Sequence, residues 1–133
     1  MNSGYLLDTC AWLDLNIAPE RLSQPARDIM RQTDHFQLAS ISQLEVSRKA
    51  ALGKLVLSMP LDDWMRTALP AKRIRVLPIT VDISIESYRL PEPFHPDPAD
   101  RLITATARIH HLTILTSDQK ILDYPHVKSI SSR

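Results

Sequence analysis

His95-Pro96-Asp97-Pro98-Ala99-Asp100-Arg101-Leu102-Ile103 is the stretch from which the rest of this chain can be read. Two prolines stiffen an approach that delivers two carboxylates and an arginine onto the first turn of a helix. Asp97 suits the N-cap, Pro98 the first helical position, and Asp100 falls in the same turn. Beyond them Leu102, Ala105, Thr106 and Ile109 recur at i, i+3, i+4 and i+7, the spacing of one buried helix face. Acids at a helix N-terminus also meet the macrodipole favourably, so the stretch alone requires no function. It gains meaning from three further acids at element ends elsewhere: Asp8, Glu45 and Asp118.

The length of 133 residues suits one domain, 1–133, with a single core. A formal net charge of +1 neither announces nor excludes a polyanionic partner, so the placement of basic residues matters more than their sum. Cys10 is the lone cysteine, which rules out an intrachain disulfide and suits a reducing compartment. No apolar run is long enough to span a membrane, and the start Met1-Asn2-Ser3-Gly4 has no signal-peptide pattern. The expectation is a soluble, cytoplasmic protein. Two glycines, Gly4 and Gly53, leave no room for a glycine-rich phosphate loop.

Taken in order, Tyr5-Leu6-Leu7 reads as a short buried strand ending at Asp8. Thr9 is placed to cap a helix carrying Cys10, Leu13 and Ile17 on one face, closed by Pro19. Ser23 opens a second helix, with Ala26, Ile29, Met30 and Thr33 at core spacing. A second strand follows at 36–39. Ser42-Gln43-Leu44-Glu45 matches a capping box and opens a third helix, with Gly53 as its stop. Pro60 leads a fourth, striped by Leu61, Trp64, Met65, Ala68 and Leu69, and Pro70 ends it. Strand three is 74–77. A helix from about Thr80 then turns Val81, Ile85 and Tyr88 inward. The loop 90–96 leads to the central helix, His110-His111 end it, and strand four is 112–116. A turn through Ile121 and Leu122 reaches a last strand near 127–130.

Strands alternating with helices predict an α/β fold, a mainly parallel sheet of about five strands covered on both faces. Ligands of such sheets bind beyond the carboxyl ends of the strands. Asp8 and Asp118 stand at two such ends, while Glu45 and Asp100 lie early in helices that start from the same edge. Converging carboxylates raise one another's pKa unless a cation neutralises them. Hard Mg²⁺ or Mn²⁺ suits oxygen ligands, and one or two such ions serve in-line displacement at phosphorus. The chemistry indicated is metal-dependent phosphodiester hydrolysis.

Tyr5-Leu6-Leu7-Asp8-Thr9, the Ser40-Ile41-Ser42-Gln43-Leu44-Glu45-Val46 stretch, Asp97-Pro98-Ala99-Asp100-Arg101-Leu102-Ile103 and Leu115-Thr116-Ser117-Asp118 resemble the four motifs of PIN-domain ribonucleases. More narrowly, the chain resembles the VapC toxins of type II toxin–antitoxin systems, in motif order and over essentially its whole length. The resemblance implies a PIN-like α/β/α sandwich and a Mg²⁺- or Mn²⁺-dependent endoribonuclease that cuts RNA. It also implies a cognate antitoxin, a homodimer, and metal-binding acids at Asp8, Glu45, Asp100 and Asp118. Asp97 is either an outer ligand or only the cap. Gln119 and Ser117 depart from residues common in relatives, which touches substrate contacts rather than ligands.

Competing readings stand beside these. Glu45 has the capping alternative. Thr9 and Thr116 serve either as plain cap and strand residues or as hydroxyls orienting ligand carboxylates. Arg101 either pairs structurally with Asp97 or another acid, or holds substrate phosphate. His95 reads as a solvated loop residue, none of the five histidines has metal-ligand spacing, and Cys10 reads as a small buried residue. Arg48, Lys49, Lys54, Lys72, Arg73 and Arg75 either line an RNA path or are solvated. Trp12 either stacks on a base or is core; Trp64 and Met65 are core or a partner surface. A dehalogenase-type phosphatase wants a second aspartate where Cys10 stands. A receiver domain wants an acidic pair and a late lysine that Asp118-Gln119-Lys120 does not convincingly supply. A non-toxin RNA-processing PIN nuclease and a non-catalytic PIN-fold binding module remain as alternatives.

Overall fold

The computed structural model describes residues 4–133, so the reading of the first three residues lies outside it. The short apolar runs are strands: β1 (Tyr5–Leu7), β2 (Phe36–Ala39), β3 (Ile74–Leu77), β4 (Thr113–Thr116) and β5 (Ser129–Ser131). They form one sheet in the order β3-β2-β1-β4-β5, with every neighbouring pair parallel. Between them run α1 (Thr9–Ile17), α2 (Gln24–Gln32), α3 (Ile41–Ala51), α4 (Leu61–Ala68), α5 (Val81–Ser87), α6 (Pro98–His110) and the short α7 (Gln119–Leu122). The expected parallel α/β/α arrangement is the one found.

Pleat alternation divides the core in two. Leu7, Phe36, Leu38 and Leu115 face one layer, packed with Trp12, Trp64 and Met30. Leu6, Ala39, Leu77 and Ile114 face the other, packed with Ile103, Ala107 and Ile121. The buried Trp12 ring lies 5.1 Å from that of Trp64 at 61°, and its Nε1 donates to the Ala68 carbonyl at 2.9 Å. Both tryptophans are therefore core, and Met65 packs partly buried against the same cluster. Truncating a side chain like Trp12 costs about 3–5 kcal/mol.

Several local expectations are corrected. Asp8, not Thr9, caps α1, accepting from the Thr9 amide at 2.8 Å. That helix buries Ala11, Trp12 and Asp14, while Cys10 and Leu13 of the expected stripe are half-buried and Ile17 is exposed, its apolar residues being spread over more than one face. Helix α3 begins at Ile41 with Ser40 in the cap position, so Ser42 already lies inside the first turn and cannot form a capping box with Glu45. In α5, Val81, Ile85 and Tyr88 face outward, and Ile83 and Ser87 are the buried residues. Both sets have helical spacing, and packing against α6 selects the second. Of the stripe expected on α6 only Ala105 and Thr106 are buried, while Leu102 is half-buried and Ile109 exposed; Arg101, Ile103, Thr104 and Ala107 are buried instead, since the helix contacts α3, α5 and the sheet. The last strand starts at Ser129, two residues later than expected. Gly53, at φ +70°, follows α3 in the left-handed conformation that a helix stop favours. Among the described residues no helix is long and apolar enough to cross a membrane.

Candidate functional site

In a parallel sheet every strand ends at the same edge, and each following helix starts there with its positive end. Three of the sequence-predicted acids are helix caps at that edge. Asp8 leaves β1 and caps α1; Asp97 caps α6, its Oδ2 accepting from the Asp100 amide at 3.0 Å; Asp118 follows β4 and caps α7, accepting from Lys120 N at 2.9 Å. Capping and convergence are thus compatible uses of one carboxylate. Asp100 sits in the first turn of α6, and Glu45 reaches in from α3.

All five acids line one cavity of about 410 Å³. The hydroxyls of Thr116 and Thr9 hydrogen-bond to these acids. Thr116 Oγ1 donates to Asp8 Oδ2 at 2.5 Å and accepts from the Asp118 amide at 2.9 Å, tying two acids to one strand end. Thr9 Oγ1 donates to Glu45 Oε1 at 2.5 Å and lies 2.8 Å from the buried Ser42 hydroxyl. This clasp replaces the expected Ser42–Glu45 capping box.

The electrostatics follow from burial and like charge. Desolvation, then the charges of Asp8, Asp97, Asp118 and Glu45, push the Asp100 carboxyl up to about 8. Burial raises Asp8 as well, with Asp118 adding to it, against hydrogen bonds from Thr116, Thr9 and Cys10. Glu45 is raised by burial and by Asp8 and Asp97, while Thr9 and Lys49 pull the other way. The edge holds more negative charge than its own cations balance.

Other residues in the cavity have surroundings that the sequence does not disclose. His95 is not a solvated loop residue: its side chain is 14% exposed and its Nε2 lies 3.1 Å from Asp100 Oδ2, too far off line for a good hydrogen bond. Potential ligand atoms of His95, Asp100 and Asp118 all fall within 4.8 Å of one another. The turn at Pro96 and Asp97 folds a five-residue separation into direct contact, which helical or strand spacing could not reveal. Cys10 is half-buried in a polar setting, its Sγ 3.5 Å from Asp8 Oδ2 and 3.2 Å from Ser117 Oγ. Burial and Asp8 push its thiol up, away from reactivity. Lys49 and Lys120 line the same cavity. Lys49, four residues after Glu45 on α3, was legible from helical spacing.

Arg101 does not face the acids. Its guanidinium is buried and donates to the carbonyls of Ser87 (3.1 Å) and Phe94 (3.0 Å) and to Glu92 Oε1 (3.1 Å). Its partner is therefore Glu92 rather than Asp97, and it anchors the loop that carries His95. Among the basic residues proposed for an RNA path, Arg73 binds the carbonyls of Met30, Thr33 and Asp34 and stacks over Phe36, a structural role.

A family model described as PIN domain matches residues 5–127. The chain belongs to the PIN domain family. Over 129 residues it is 30% identical to Ribonuclease VapC22 of Mycobacterium tuberculosis (strain ATCC 25618 / H37Rv), covering 92% of this chain and 98% of that one. Among solved structures, VapBC2 from Rickettsia felis bound to a DNA fragment from its promoter has a TM-score of 0.72 at 13% identity. That match covers 97% of this PIN domain and 98% of its counterpart. A toxin–antitoxin complex from Klebsiella pneumoniae has a TM-score of 0.71 at 20% identity, covering 96% and 97%. At these identities the structural matches speak to the fold.

Proposed function

We propose that this PIN domain is a metal-dependent endoribonuclease, the toxin of a type II toxin–antitoxin pair. The observation that carries the reading is the gathering of Asp8, Glu45, Asp100 and Asp118 around one cavity, where burial and then the neighbouring carboxylates push Asp100 up to about 8. Support for the activity class comes from the similarity to Ribonuclease VapC22 over nearly the whole chain.

The donor set fits a hard divalent cation, being carboxylate oxygens clustered with one imidazole at the mouth of a polar cavity. Asp8, Glu45, Asp100 and Asp118 are the proposed ligands of one or two Mg²⁺ or Mn²⁺ ions, with Asp97 beside them as the α6 cap. Such an ion supplies Lewis acidity toward water and phosphate oxygens. The chain's own residues do the rest. Thr116 and Thr9 fix the directions of Asp8 and Glu45, as partners behind metal ligands do. Lys49 and Lys120 attract the RNA phosphates into an otherwise negative cavity. Arg101 holds the loop that presses His95 against Asp100.

The cognate antitoxin and a second copy of the chain are the proposed protein partners, in the cytoplasm. The outward stripe of Val81, Ile85 and Tyr88 on α5 supports a protein contact on that side.

Incubating purified protein with cellular RNA in Mg²⁺, Mn²⁺ or EDTA, beside Asp100→Asn, tests the proposal. Cutting in the metal arms that is lost in EDTA and in the variant is expected. Wild-type rates from Asp100→Asn would overturn the site assignment.

A further inference from the structure

Adjoining the acid cavity is a second, mainly apolar cleft of about 620 Å³, within the range of roughly 300–1,000 Å³ usual for small-molecule sites. Its floor is the ring pair of Phe94 and Tyr124, centroids 4.5 Å apart and both nearly buried. Exposed Pro93, Pro125 and His126 line its rim, the His126 ring standing edge-on to Tyr124 at 5.3 Å. Bonds independent of the acids fix this floor. The Tyr124 hydroxyl donates to the Pro91 carbonyl at 2.6 Å, and Arg101 binds the Phe94 carbonyl while its guanidinium lies 5.8 Å from the Phe94 ring.

We propose that this cleft is a nucleobase subsite, seating the base of a nucleotide that neighbours the phosphate in the acid cavity. The proposal rests on the nuclease reading and adds to it where the substrate base is held. The decisive feature is continuity, since His95 and Lys120 line both cavities. A nucleotide is apolar on its base faces and anionic at its phosphate, and the two cavities offer those chemistries side by side. The exposed Pro93, Pro125 and His126 surfaces, backed by the two buried rings, suit base stacking, which tolerates any base. Lys120, at the junction, is the cation the intervening phosphate requires. Asp123 also lines the cleft; Gln119 Nε2 occupies its Oδ1 at 2.6 Å, and its second oxygen can accept from an amino group on the base. A partner's apolar side chain would satisfy the cleft but would bring no phosphate to the acid cavity that His95 and Lys120 share with it.

The test is an NMR titration of the isotope-labelled full chain with AMP, GMP, CMP and UMP in turn, with and without Mg²⁺. Expected are shifts centred on the Phe94 and Tyr124 rings and His126, with affinity lowered roughly tenfold in His126→Ala. The exposed position of His126 makes that variant compatible with the fold. Shifts confined to the acid cavity, no shifts with any nucleotide, or equal affinity in His126→Ala would each overturn the subsite. RNA cleavage by the same samples separates the two claims. Intact cleavage without cleft shifts removes the subsite alone. Cleft shifts without cleavage retain it and remove the nuclease reading.

Discussion

Two buried aspartates, six residues apart at the start of the chain, are treated in opposite ways. Asp14, in α1, receives a two-pronged contact from Arg133, at 2.8 and 3.0 Å. Asp8, which caps the same helix, is as deeply buried, yet among the described residues no lysine or arginine forms an ion pair with it. Its neighbours are a threonine, a thiol and other acids. A buried charge left without a partner costs stability, so a fold supplies the countercharge where it can. At Asp14 this chain does so; at Asp8 it leaves the deficit to be met from outside. The difference separates an acid that holds the structure together from one that, on the proposed reading, awaits a cation.

Substitution at the two sites should therefore have opposite consequences. The largest effect is expected for Asp8→Asn, which keeps the cap acceptor and the shape but removes the charge. Cleavage should fall by at least about a hundredfold, since even outer partners of metal ligands are worth about 10–100-fold. The metal-free melting temperature should hold or rise as repulsion is relieved. A metal-free loss of stability with cleavage retained would erase the contrast. Arg133→Ala should do the reverse, costing about 2 kcal/mol in denaturant unfolding while leaving the cleavage chemistry in place. Removing one partner of a fully buried pair costs about 3–5 kcal/mol, and the half-exposed Arg133 lowers that figure.

A smaller effect is expected from pH. Between the ordinary carboxylate value of 3.8 and about 8, folded Asp100 keeps a proton that the unfolded chain has released. The folded state then binds more protons, so metal-free stability is fully present at the acid end and falls as pH rises through this window. Asp8 and Glu45, also raised, act in the same direction. Calorimetry at a series of pH values in EDTA should show that decline, and saturating Mn²⁺ should flatten it. A decline unaffected by Mn²⁺ would place its origin outside the acid cavity.

Much of this was legible in the sequence because it depends on chain direction rather than on side-chain packing. Strand ends at Leu7 and Thr116 place Asp8 and Asp118 on one edge in any parallel sheet, and the Asp97-Pro98 start fixes where Asp100 lies. What stayed hidden depends on how turns and faces pack. His95 meets Asp100 only through the bend at Pro96, and Cys10 reaches Ser117 across the β1–β4 pairing. The α5 stripe misled because both faces of that helix carry apolar residues, and only contact with α6 selects Ile83. Glu45 looked like a cap because Ser42 stands three residues before it. The helix begins one residue before Ser42, and the Thr9 hydroxyl claims the carboxylate.

The most direct measurement is the shift in melting temperature on adding Mn²⁺ to wild type and to Asp100→Asn. A cation that binds the folded acids stabilises in proportion to the occupancy it gains. Wild type should show a clear rise and the variant a much smaller one, from a higher metal-free starting point. Equal shifts in the two proteins would place the metal elsewhere and contradict it.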